Sequence, residues 1–106
     1  MLPPHWLCKY CGMIITDSGQ EPNPCSYCSH SGFQYLGYEG DYDGIDVRAQ
    51  IGVLFDPNKF SPEMNAHYWR GMSENEKFVH QRKIDELNDK IRARMEEMGY
   101  IGNLFD

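Results

Sequence analysis

The sequence predicts an α+β fold, in which a small N-terminal metal module with a β-hairpin is followed by a short helix and a long C-terminal helix. Three observations carry this prediction. Four cysteines stand as two close pairs within the first 28 residues, residues 45–55 alternate apolar and polar side chains, and residues 73–98 combine helical spacing with a capped start. The length of 106 residues corresponds to one domain.

Composition and charge argue against several classes of protein. Hydrophobic residues make up 41% and charged residues 25%, which is typical of a folded chain. No run approaches the roughly 20 apolar residues that span a membrane, and the first residues have neither the basic nor the apolar region of a signal peptide. We therefore expect a cytoplasmic protein with no membrane contact. The net charge of -6 disfavours tight nucleic-acid binding through phosphate neutralisation.

The cysteine pattern is C-x2-C-x13-C-x2-C. Two C-x2-C turns can bring four thiolates to the corners of a tetrahedron around one ion. A secreted disulfide scaffold would spread its cysteines along the chain, whereas no cysteine occurs in the 78 residues that follow. The spacing predicts a metal site with zinc as the ion, and iron is the alternative because it accepts the same ligands. The predicted ligands are Cys8, Cys11, Cys25 and Cys28.

Residues 5–36 resemble the knuckle pairs of the rubredoxin-like and zinc-ribbon superfamily. Trp6 lies two residues before the first cysteine, a CxxCG motif ends at Gly12, and Pro24 precedes the third cysteine. The resemblance implies a small zinc ribbon whose four cysteines bind one metal ion. The second knuckle departs from the typical pattern, because Ser29 follows its last cysteine where glycine is usual.

The middle of the chain is predicted to form a hairpin over residues 33–55. Its first strand covers Phe33–Leu36, and its second is the alternating stretch from Ile45 to Phe55. The connecting loop is acidic. We interpret it as a solvated turn; the alternatives are a calcium site or a docking surface for a basic protein. Its acidic residues are Glu39, Asp41, Asp43 and Asp46.

Two helices are predicted to follow. Ser61 and Pro62 open a short helix that ends near Gly71. The sequence from Ser73 to Glu76 forms a capping box, and the helix it starts continues to about Met98. Its spacing of apolar residues predicts a row that packs within the chain or, as the alternative, forms a homodimer. The row comprises Ile84, Leu87, Ile91, Met95 and Met98, and the first three are the candidate partner-binding residues of this helix.

The C-terminal tail repeats an earlier hexapeptide. Residues 51–56 and 101–106 agree at five of six positions, without any similarity around them. Leu104 and Phe105 make the tail a candidate docking motif for a partner, and a tail folded onto the core is the alternative. The predicted organisation is a metal module at 1–38, an acidic loop and strand at 39–60, a helical segment at 61–100 and a tail at 101–106.

These features favour a small non-catalytic zinc-binding adaptor or regulator that acts through another protein. The chain has no HExxH or G-x-S-x-G motif, and its histidines, His5, His30, His67 and His80, form no catalytic spacing. We therefore expect no enzymatic activity. Two alternatives stay open: a nucleic-acid-binding zinc ribbon, which would stack bases on exposed aromatic residues, and a rubredoxin-like iron electron carrier.

Overall fold

A computed structural model describes residues 2–99 and confirms the α+β class. A three-stranded antiparallel sheet forms the N-terminal part, and three α-helices and one 3-10 turn follow. Met1 and residues 100–106 lie outside the described part. The elements are β1 (His5–Cys8), β2 (Ile14–Ile15), β3 (Phe33–Gly37), α1 (Gly44–Ile51), a 3-10 turn (Pro57–Lys59), α2 (Pro62–Tyr68) and α3 (Glu74–Glu97).

The sheet is small, and β1 is its central strand in the order β2-β1-β3. Trp6 pairs with Ile15 on one side, and Cys8 pairs with Phe33 on the other. Leu7 and Cys8 are fully buried. The sheet therefore carries the first cysteine directly into the core.

The predicted strand over residues 45–55 is wrong, and so is the hairpin built on it. Residues 44–51 form helix α1, and β3 pairs with β1 instead. The helix has strong end signals, since the Asp43 side chain accepts a hydrogen bond from the Ile45 amide and Gly52 ends the helix at φ +81°. Over two turns, a helix also places Ile45 and Ala49 on one face. Alternation over so few residues therefore suited a helix as well as a strand.

The segment after α1 is extended and buried without belonging to the sheet. One side chain of α3 satisfies the backbone groups of Phe55, since the Asn88 amide accepts from the Phe55 N–H at 3.0 Å and donates to the Phe55 carbonyl at 2.8 Å. Buried backbone groups need such partners. Asn88 thus lets Val53 and Phe55 enter the core as a single extended segment.

The structure confirms both predicted helix starts. The Ser61 hydroxyl accepts from the Met64 amide at the start of α2. At the start of α3, Ser73 and Glu76 form the complete capping box. None of the helices described between residues 2 and 99 is both long and apolar enough to cross a membrane.

Helix α3 packs against α1 within the same chain. Ala49, Ile91 and Met95 are buried together, and Ile84 joins a larger cluster that contains the cysteines. Ile84 and Ile91, predicted as partner-binding residues, are only 5% and 0% exposed, so as placed here they are core residues. Leu87 is half-buried and contacts both clusters. The physical reason is α1, which supplies the facing helix that the sequence-based prediction lacked.

One core joins the segments that the sequence suggested as separate units. The cluster around the four cysteines includes Phe55, Phe60 and Ile84, which come from the middle and helical segments. The predicted acidic loop is built into the local structure. Asp43 caps α1, and Asp46 pairs with Arg94 of α3 at 2.6 Å.

Candidate metal centre

The first knuckle, residues 8–12, turns on Gly12. The Gly12 amide donates to the Cys8 carbonyl at 3.0 Å, and Gly12 adopts φ +79°. A Cβ atom at Gly12 would lie 2.6 Å from the Leu54 carbonyl oxygen. Glycine is thus required twice, for its backbone conformation and for the close approach of residues 53–55.

The second knuckle, residues 25–29, repeats the turn with a different residue. The Ser29 amide donates to the Cys25 carbonyl at 2.9 Å, and Ser29 adopts φ +64°. Positive φ therefore occurs at both positions, although the sequence has glycine at only one. Ser29 is exposed, so its side chain has room even though its backbone is strained.

The two knuckles bring the four cysteine sulfurs together. All four lie within 4.8 Å of one another, with Cys8–Cys28 at 3.5 Å and Cys11–Cys25 at 3.9 Å. A tetrahedron with metal–sulfur bonds of about 2.3 Å has sulfur–sulfur edges of about 3.8 Å. The cysteines are unbridged and at most 3% exposed. Their placement suits a tetrahedral thiolate site for one metal ion.

Ionisation is uneven when the cluster consists of sulfurs alone. The pKa of Cys8 falls to about 4, first because the Cys11 thiol donates to it and further because backbone amides do. The pKa of Cys11 rises through the same contact and through burial, and burial raises that of Cys28 to about 11. A bound cation would remove this conflict, because each sulfur could then ionise.

Backbone amides surround the sulfurs as donors. The Tyr27 amide lies 3.4 Å from the Cys25 sulfur. Backbone hydrogen bonds from Tyr10, Met13 and His30 act on the other three cysteines, in each case favouring the thiolate. The donor set therefore fits an anionic metal–thiolate centre.

The four histidines lie outside the sulfur cluster, and three of them contact tyrosine side chains instead. His30 stacks on Tyr10 with ring centroids 3.6 Å apart. The His5 imidazole hydrogen-bonds to the Tyr42 hydroxyl, and that of His80 to the Tyr68 hydroxyl. None of them joins the group of potential metal ligands found within residues 2–99.

Two contacts to the first knuckle come from residues that sequence reasoning missed. The Arg48 Nε–H donates to the Gly12 carbonyl at 3.1 Å, and the Asp56 amide donates to the Cys11 carbonyl at 3.3 Å. Burial lowers the pKa of Arg48, while Tyr42 and Cys11 act to raise it. No sequence signal pointed to Arg48, because the predicted strand hid its position on α1.

The candidate partner-binding residues divide into two groups. Leu104 and Phe105 lie outside the described residues, whereas the α3 residues Ile84 and Ile91 belong to the core and Leu87 is half-buried against it. The large apolar side chains that α3 presents to solvent are near its start, where Phe78 is 63% exposed and Val79 47% exposed.

Comparison with known proteins gives no further assignment: no protein-family model, curated protein or solved structure matches this chain significantly. What the structure shows of the predicted knuckle pair is a cluster of four cysteines that could hold a metal ion.

Proposed function

We propose that this protein is a small non-catalytic adaptor or regulator whose four cysteines hold one structural zinc ion and whose surface binds another protein. One observation supports a structural role for the metal. The cluster is a complete set of four buried sulfurs and belongs to the same core as Phe55, Phe60 and Ile84. A tetrahedral ion with four thiolate ligands has no open position for water or substrate.

Metal analysis tests the first half of this proposal. Protein purified without added metal should carry about one equivalent of zinc per chain, because four thiolate ligands complete the coordination of one zinc ion. Removing it with a chelator should abolish the near-UV dichroism of the core aromatic residues, because metal binding and folding are coupled in small modules. A metal-free chain with unchanged near-UV dichroism would contradict the proposal.

The proposed partner surface lies where α2 meets the start of α3. Phe78 and Val79 are exposed there, and Trp69 and Met72 are half-buried beside them. A shallow groove of about 780 Å³ runs between the two helices, with Trp69, Met72 and Phe78 in its walls. Exposed aromatic and aliphatic side chains beside a groove are typical of the central residues of protein interfaces.

The interface experiment starts from a partner captured on the intact protein. Replacing Phe78 and Val79 by serine should weaken binding of that partner at least about tenfold, as expected for truncating interface hot spots. The control is Glu96→Ser, an exposed position at the other end of the same helix. Equal affinities for the two variants would place the interface elsewhere.

The tail is tested separately. Deleting residues 103–106, or changing Phe105 to alanine, should weaken partner binding at least about tenfold while the metal content stays the same. A sharp drop in the melting temperature would instead assign the tail to the core. Sedimentation of the full chain tests the remaining alternative, a homodimer through α3.

A nucleic-acid function has less support from the site. Tyr10 is 43% exposed, but its ring already stacks on His30 and has Lys59 over it, so a base would have to displace one of these contacts. Tyr27 packs against Phe60. With a net charge of -6, any binding should disappear by physiological salt. Submicromolar binding of DNA or RNA at about 150 mM salt would reverse this ranking.

An iron electron carrier is distinguished by colour. The same four thiolates accept iron, and a ferric tetrathiolate absorbs visible light strongly, whereas a zinc site is colourless. We expect colourless protein from cells grown with both metals. A red preparation with one iron per chain would replace the structural role by electron transfer.

A further inference from the structure

Arg48 is placed unusually for a charged residue. It is the only one of the five arginines that is not exposed. Its Nε–H donates to the Gly12 carbonyl at 3.1 Å, and its guanidinium carbon lies 5.8 Å from the centre of the Phe55 ring. Gly12 directly follows the ligand Cys11, so the guanidinium is held against the first knuckle.

This half-buried guanidinium has no carboxylate partner among the described residues. Within residues 2–99, the ion pairs formed by arginine join only Arg92 and Arg94 to carboxylates. A charge withdrawn from water without an opposite charge is destabilising. Something other than a carboxylate must therefore offset the charge of Arg48.

A metal–thiolate centre formed by the four cysteines would supply this negative charge. Four thiolates around a divalent ion leave a net charge of about -2 in a buried site. We propose that Arg48 is the counter-charge of the metal–thiolate centre and positions its first knuckle, an inference that rests on the proposed binding of metal by the four cysteines. Helix α1 would then be tied electrostatically to a site whose ligands all lie before it in the chain.

The proposal predicts a loss of metal affinity on neutralising Arg48. Arg48→Gln should weaken zinc binding about 10- to 100-fold, as is typical when groups that support the ligands are removed. Arg48→Lys retains the charge and should keep most of the affinity. The control is Arg94→Gln, which removes an exposed arginine paired with Asp46 of α1, and its affinity should not change.

The iron-substituted protein separates charge from mere packing. Reduction makes the tetrathiolate centre more negative, so a nearby cation favours the reduced form and raises the reduction potential. Losing Arg48 as a counter-charge should therefore lower the potential. Losing it only as packing would admit water, which also stabilises the more charged reduced form and would raise the potential.

The experiment measures zinc affinity by competition with a chromophoric chelator, and the potential of the iron form by voltammetry. An Arg48→citrulline chain can be ligated from synthetic segments at Cys28. Citrulline retains the Nε–H donor and loses only the charge. This variant therefore tests the counter-charge if Arg48→Gln fails to fold. A lower potential and weaker zinc binding in the neutral variants support the proposal. An unchanged or raised potential, or unchanged affinity, overturns it. Wild-type protein that holds no metal would instead overturn the proposed metal function itself.

Discussion

The two knuckles perform the same turn in different surroundings. Both donate an amide from the fifth residue to the first cysteine's carbonyl, and both place that fifth residue at positive φ. Gly12 of the first knuckle is buried against the Leu54 carbonyl, whereas Ser29 of the second is exposed. Both knuckles contact later parts of the chain: Arg48 donates to the Gly12 carbonyl, and the Ser61 amide donates to the Tyr27 carbonyl at 3.2 Å. The same local turn therefore has different sequence requirements in the two knuckles, because the rest of the chain packs against Gly12 and not against Ser29.

Removing a ligand from either knuckle should have the largest effect. Cys8→Ala and Cys25→Ala should each lose the metal and unfold the N-terminal part, since structural zinc contributes about 10 to 16 kcal/mol of apparent binding energy in small zinc-binding peptides. Metal content and near-UV dichroism measure the outcome. Loss of a ligand from either knuckle should have the same effect. A variant that keeps one equivalent of metal would show that the two knuckles are not equivalent.

Substituting the residue that ends each knuckle should have the next largest effect on stability, and this effect should differ between the two knuckles. Gly12→Ala should destabilise the zinc-bound protein by about 3 kcal/mol, because a side chain at positive φ costs about 1 to 2 kcal/mol and overpacking against a fixed carbonyl costs about as much again. Ser29→Ala, the matched change in the second knuckle, should stay within about 0.5 kcal/mol of the wild type. Urea unfolding with zinc present measures both. A loss of only about 1 to 2 kcal/mol for Gly12→Ala, the cost of positive φ alone, would show that packing against the Leu54 carbonyl is unimportant.

The support behind the first knuckle offers a third test. Asn88→Ala should lower the free energy of unfolding by about 2 kcal/mol, because the Phe55 N–H and carbonyl lose their partner in a half-buried position. Zinc stoichiometry should remain one, since no ligand changes. Gln81→Ala, which removes an exposed contact with Asp85 on the same helix, should have almost no effect. A loss as small as that of the control would mean that solvent replaces Asn88.

The smallest effect should come from improving the second knuckle. Ser29→Gly should raise stability by about 0.5 kcal/mol, since relief of a positive-φ strain of about 1 kcal/mol is partly offset by the greater freedom of glycine in the unfolded chain. Chemical denaturation of the zinc-bound form would detect the gain as a higher midpoint. A decrease would indicate that the Ser29 side chain contributes a contact of its own.

Local sequence signals predicted the parts of the molecule that depend on a few neighbouring residues. The two cysteine pairs followed from spacing, because a C-x2-C turn brings its own two sulfurs together. The start of α3 followed from Ser73 and Glu76, whose side chains satisfy the helix's own first amides. In each case, the decisive contacts lie within five residues of one another.

Tertiary structure decided the rest. The alternation from Ile45 to Phe55 was compatible with a strand or with a short helix and an extended end, and packing against Ile91 and Met95 of α3 accompanies the helix. The contact of Arg48 with Gly12 spans 36 residues, and that of Asn88 with Phe55 spans 33. Such contacts leave no periodic or local signal in the sequence, because they form only when distant elements meet in the folded core.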